Sequence, residues 1–95
     1  MPKWRLPSRA KDQIQRAILS VLLNQAEGCG KMTAKDKCKF FSIARGSLLE
    51  VGAGLDVAEV LGELSSVDNH NLQSELLIIA KMLSKLIRAT MERSP

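Results

Sequence analysis

The stretch TAKDKCKFFSIARGSLLEVGAGLDVAEVLG, residues 33–62, decides the fold. Within it Phe41, Ala44, Leu48, Val51, Leu55 and Ala58 recur at intervals of three and four, the period that lines one face of an α-helix and forms one seam of a bundle. A second stripe, Phe40, Ile43, Val57, Val60, Leu61 and Leu64, points elsewhere, so this helix meets more than one neighbour. Thr33 is a good N-cap because its hydroxyl accepts from the free amides of the first turn. Nothing strong enough to end the helix comes before Gly62, which gives a rod of about 43 Å at 1.5 Å per residue. Gly46, Ser47, Gly52, Ala53 and Gly54 are poor helix formers inside it, each glycine costing about 1 kcal/mol against alanine. They fit either the close approach of another helix or a kink near Gly52–Gly54.

Two further helices flank this one. The first covers about 8–27, with Ser8 as N-cap and an apolar stripe of Ile14, Ala17, Ile18, Val21, Leu22 and Ala26. Gly28-Cys29-Gly30 is read as its stop, since glycine tolerates the left-handed conformation that closes helices. The third covers about 67–92, capped by Ser66 or Asp68. Leu72, Leu76, Ile79, Leu83 and Leu86 form one of its seams, and Leu77, Ala80, Ile87 and Met91 a second. Connections at 28–33 and 63–67 are short, so consecutive helices run antiparallel. The expected fold class is therefore all-α: one antiparallel up-down helical bundle over residues 1–95. With 95 residues, 45% of them hydrophobic, three helices with two-sided apolar faces carry more apolar surface than one small domain buries. A homo-oligomer, or a fourth helix, is expected to complete the bundle.

Several function classes drop out. No apolar run approaches the roughly 18 residues of a membrane span, and Met1-Pro2-Lys3-Trp4-Arg5 lacks the apolar core of a signal peptide, which points to the cytoplasm. Cys29 and Cys38 are read as free thiols; with His70 the single histidine, no metal site is expected. There is no glycine-rich phosphate loop and no nucleophile–base pair, so neither a catalytic residue nor a cofactor is assigned and the chain is read as no enzyme. His70 is expected to be exposed at the start of the last helix, and Trp4 to lay its ring over an apolar surface.

Charge supplies the functional clue. The net charge is +4, with ten basic and three acidic side chains in residues 1–45 against four and seven in residues 46–95. Antiparallel packing brings Lys31, Lys35, Lys37 and Lys39 beside Lys81, Lys85, Arg88 and Arg93, where Glu27, Asp36 and Glu92 are the few acids. Asp56, Glu59, Glu63, Asp68 and Glu75 gather at the opposite pole, partly offset by Arg5, Arg9 and Lys11. Such a basic pole fits an anionic partner, RNA or DNA, and a ring of subunits would multiply it into a rim for several phosphates. Without aromatic interleaving, contact would run through backbone and shape. The competing reading is a solvated lysine face on an interaction scaffold whose spare apolar stripes dock a protein.

The run Gln13-Ile14-Gln15-Arg16-Ala17, Ser20 and Asn24-Gln25-Ala26-Glu27-Gly28, together with Phe40-Phe41-Ser42-Ile43-Ala44-Arg45-Gly46-Ser47-Leu48-Leu49-Glu50 and Lys81-Met82-Leu83-Ser84-Lys85-Leu86-Ile87, resembles the four-helix bundle protein family. That family includes proteins encoded by intervening sequences in bacterial 23S ribosomal RNA genes. A related branch comprises the accessory variability determinant proteins of diversity-generating retroelements. Kinship with it implies a pentamer, nucleic-acid binding and a reverse transcriptase partner. The family has an additional first helix where this sequence has Met1 to Pro7. Gln25 stands at a usually apolar position, and Leu22 replaces a frequent proline. The marked residues Asn24, Glu27, Gly28, Arg45, Gly46, Ser47 and Glu50 form a structural motif in this reading. Glu27 ties the first helix to the free amides around Ala34–Lys37, and Asn24 bonds to the turn. Arg45, five residues from Glu50, finds its partner in another helix or chain.

Overall fold

The computed structural model describes residues 9–93. It consists of α1 (Arg9–Gly30), α2 (Ala34–Val60) and α3 (Ser66–Glu92). Trp4 and the expected cap Ser8 lie outside the described residues.

Local chemistry sets the ends of α2. Thr33 is extended, and its Oγ1 accepts from the Asp36 amide at 3.1 Å. At the other end Gly62 takes φ +75°. Its amide donates to the Glu59 carbonyl at 3.0 Å, while the Glu63 amide reaches back to Ala58 at 2.8 Å. These two bonds satisfy carbonyls that would otherwise end the helix unpaired, and only glycine takes that φ cheaply.

Two predicted boundaries are corrected. Ser65, not Ser66 or Asp68, caps α3: it is the last extended residue, and its Oγ accepts from the Asp68 amide at 3.0 Å. Nor does α1 stop before Gly28; it continues to Gly30. Gly28 is buried against Phe41, where a Cβ would lie 2.6 Å from ring carbon Cε1 and 3.2 Å from the Lys37 carbonyl. This glycine serves close packing between helices rather than chain reversal.

α2 is the middle element, with α1 and α3 packed on either side of it and no backbone approach between those two. All six residues of its predicted seam are buried. Val21 of α1 and Leu83 of α3 join Ala44 and Leu48 in one cluster, and Ala17 joins Val51 and Leu55 in a second. The up-down order is as expected, but the molecule is a single layer. It measures 55 × 22 × 15 Å, against about 10–12 Å for the diameter of one helix. Its radius of gyration is 15.5 Å, where a compact chain of this length has about 12–13 Å. The second stripe divides: Leu64 packs against the second cluster, whereas Val57 at 49% and Val60 at 86% exposure stay uncovered.

Polar pairs fix the register. On the α1 side the Ser20 and Ser47 hydroxyls share a 2.7 Å hydrogen bond, and Gly54 admits Ile14, whose Cγ1 would lie 2.6 Å from an added Cβ. On the α3 side buried Asn69 donates through Nδ2 to Asp56 (2.9 Å) and Glu59 (2.8 Å), and Gln73 Nε2 to the Gly52 carbonyl (2.8 Å). Close approach, not a kink, therefore explains Ser47, Gly52 and Gly54. Gly46 meets nothing within 4 Å and Ala53 is exposed.

Two glycine-to-alanine changes should act with opposite sign. Gly28→Ala must displace the Phe41 ring and is expected to destabilise by about 1–3 kcal/mol. Gly46→Ala, in open space within a helix, should stabilise by up to about 1 kcal/mol. Urea unfolding followed by circular dichroism checks both.

Candidate nucleic-acid interface

The end of α1, the start of α2 and the end of α3 share one pole of the layer, so the predicted cations come together there. Lys81 is the outlier: it lies further along α3, near the level where Arg45 Nη1 donates to Ser84 Oγ at 3.3 Å.

The structure separates cations that hold the fold from those that do not. Lys37 Nζ donates to the Cys29 carbonyl at 3.1 Å and lies 3.5 Å from that of Gly28. It thereby adds to the bonding of the carbonyl end of α1, where Gly28 also accepts from the Lys31 amide at 3.3 Å, and meets the negative end of the helix dipole. Arg93 Nε donates to the Ala89 carbonyl at 3.2 Å, a similar role at the end of α3. Lys31 lies 3.5 Å from Glu27 Oε2. Its ammonium is 5.1 Å from the centre of the Phe40 ring, and that of Lys39 is 5.7 Å from the same ring, both within cation–π range. One aromatic ring thus stands among the lysines after all; the Lys39-Phe40 neighbourhood was the signal for it.

Lys35, Lys81, Lys85 and Arg88 are exposed, and among the described residues no hydrogen bond, ion pair or ring contact holds them. Helical phase puts Lys35 and Lys39 of α2 on the same side of the layer as Lys81 and Arg88 of α3. That side carries the groove lined by Leu49, Ala53 and Leu77. The opposite side, at the same pole, holds a recess of about 470 Å³ with Met32, Phe41 and Leu86 in its lining and Lys37 and Arg93 beside them.

The marked motif residues divide in three. Ser47, Asn24 and Gly28 belong to the α1–α2 crossing, where Asn24 Nδ2 donates to the Ser20 carbonyl at 2.8 Å and to its Oγ at 3.2 Å. Asn24 therefore bonds within α1, not to the turn, because it faces inward at that crossing. Arg45 finds its partner in another helix, as expected, but the partner is a hydroxyl. Glu27, Gly46 and Glu50 are exposed. Glu27 does not reach the α2 amides: α1 runs on past it, Thr33 takes the Asp36 amide, and the carboxylate turns to Lys31. Asp56 and Glu59, counted above as pole charges, hold Asn69. His70 is exposed, as predicted.

Among the described residues no group of three His, Cys, Asp or Glu side chains is placed to hold a metal ion, and both cysteines are free thiols. Among the described residues no helix is long and apolar enough to cross a membrane.

An all-α, bundle-type protein with one cationic pole is the class that these features define. Over residues 7–85 the chain matches the family model described as 23S rRNA-intervening sequence protein, and it belongs to that family. The match takes in α1, α2 and most of α3. No curated protein and no solved structure matches the chain.

Lysines that look alike in the sequence should behave differently. Lys37→Ala is expected to lower stability by about 0.5–1 kcal/mol through loss of its bonds at the α1 terminus, whereas Lys35→Ala should stay within about 0.5 kcal/mol. Thermal unfolding of the two variants in parallel is the check.

Proposed function

We propose that this protein acts by binding rather than by catalysis, holding RNA or DNA against the basic pole of α2 and α3. The observation that carries the reading is a set of four exposed cations, Lys35, Lys85 and Arg88 towards the pole and Lys81 further along α3, which among the described residues no hydrogen bond, ion pair or ring contact engages. Lys39, 5.7 Å from the Phe40 ring, keeps an exposed ammonium beside them. Long, flexible side chains on paired helices suit phosphate oxygens, which demand charge and no fixed donor pattern. Three or four phosphate contacts imply an affinity that falls with a log–log salt slope of about −3. Arg88 is the single guanidinium among these cations, the others being lysines that offer charge without a planar donor pattern, so the binding is read as largely independent of sequence. The resemblance to retroelement accessory proteins extends the reading to a strand presented to a reverse transcriptase.

A second reading is favoured by a specific observation: Ile78 and Met82, one turn apart on α3, are 60% and 63% exposed, an apolar patch fit for docking protein. In that case the protein is an interaction scaffold and the lysines serve solubility.

Fluorescence anisotropy with a labelled single-stranded RNA and a labelled DNA duplex, at about 50 mM and about 200 mM salt, separates the two. The first reading expects binding that weakens steeply with salt. It also expects the double variant Lys35→Glu, Arg88→Glu to lose at least about tenfold in affinity at low salt while its melting temperature stays within about 2 °C. A signal near background at both salt levels, or a loss of affinity that merely tracks unfolding, leaves the scaffold reading in place.

A further inference from the structure

We propose that Phe40 is a stacking platform for one unpaired base, which gives the basic pole a contact that only single-stranded nucleic acid can use. The inference rests on the nucleic-acid reading above and adds to it an interaction that charge alone does not supply.

Of the three aromatic residues in the sequence, Trp4 lies outside the described residues and Phe41 is buried at 3% exposure. Phe40 is only half-buried, and the ammonium groups of Lys31 and Lys39 stand over its ring, 5.1 and 5.7 Å from the centre. A ring that ammonium groups reach from the surface is one that a flat base can reach as well. At an exposed site a cation–π contact is weaker than a stacked base, so a base displaces an ammonium from the ring. The displaced group is then left beside the phosphates that flank that base. Such a division of labour, cations along the backbone and a ring under a base, is how single strands are held. A duplex cannot use the ring, because its bases are stacked on one another and present only their edges in the grooves.

The ring also lies at the level of the other cations. Cys38 Sγ meets the Ile87 carbonyl at 3.6 Å, which puts the next residues in sequence, Lys39 and Arg88, at one level of α2 and α3. A strand leaving the ring across Lys39 towards Arg88 avoids Asp36, the exposed acid one turn nearer the start of α2. Glu27, the other acid near the ring, is engaged by Lys31 at 3.5 Å. The ring meets only the π-face that every base has. One stacking site therefore adds affinity for unpaired strands without selecting a sequence, and without separating RNA from DNA.

Three fluorescein-labelled probes of equal length test this by anisotropy at about 50 mM salt. They are an oligothymidine, the same strand built from abasic residues, which keeps the phosphates and lacks the bases, and a duplex. The oligothymidine is expected to bind at least about fivefold more tightly than its abasic counterpart. Phe40→Leu, which keeps apolar bulk without the flat ring, is expected to abolish that difference while changing affinity for the abasic strand and the duplex by less than about twofold. Phe40→Trp in a Trp4→Phe background keeps a platform and adds a signal: its fluorescence should fall with oligothymidine and not with the abasic strand. That arm keeps the test decisive if Phe40→Leu unfolds. Equal affinity for the oligothymidine and the abasic strand, or a Phe40→Leu loss of the same size on all three probes, would overturn the stacking site and leave the backbone-binding reading in place. Failure of all three probes to bind would overturn both.

Discussion

The seam of α2 is the apolar surface that both other helices share, and the form of the layer follows from that. Burying Phe41, Ala44, Leu48, Val51, Leu55 and Ala58 requires a helix on each side of one rod, and the close contacts at Gly28, Ser47 and Gly54 draw α1 tightly onto it. α3 is held differently, through Asn69, Gln73 and Arg45, whose polar ends reach groups on α2. A buried carboxamide between two carboxylates contributes little net stability, but it is costly to misplace, so these pairs set register more than they add free energy. The apolar contacts hold the layer together, and the polar ones say which residue stands opposite which.

Much of this was legible because helix formation and helix packing leave a periodic trace. The seam of α2, the cap at Thr33 and the turn at Gly62 each depend on residues within one or two turns of each other. What lay beyond reading depends on neighbours distant in sequence. Gly28 looks like a stop until Phe41 stands over it. Asn24 and Glu27 look like ties across the turn until the extra length of α1 carries the turn past them. The single-layer form was hidden for the same reason: periodicity identifies apolar faces, but the angle at which two helices leave a third is set by side-chain shape along both contacts.

The candidate site was legible as a region and not as a list. Charge counting and antiparallel order located the basic pole, since both survive errors of a residue or two. It could not sort Lys35 from Lys37, which have the same type and the same neighbourhood. One lies over the carbonyl end of α1 and the other projects to solvent, a difference of helical phase that becomes meaningful only once the position of α1 is known. Phe40 is legible as part of the second apolar stripe but not as a ring among the lysines, because that depends on which way Lys31 and Lys39 reach in space.

Separation of charge along the layer and separation of polarity across it are two distinct features, and together they limit how the molecule can be used. Along the long axis, screening at physiological salt reduces the effect of one pole on the other to almost nothing, since the 55 Å length is many times a Debye length of about 8 Å. The charges that matter to an association are therefore those in contact with the partner. Across the thin axis, the cations free of intrachain contacts and the α3 seam point in opposite directions. A partner that covers the seam leaves those cations open, and a polyanion bound to them leaves the seam open.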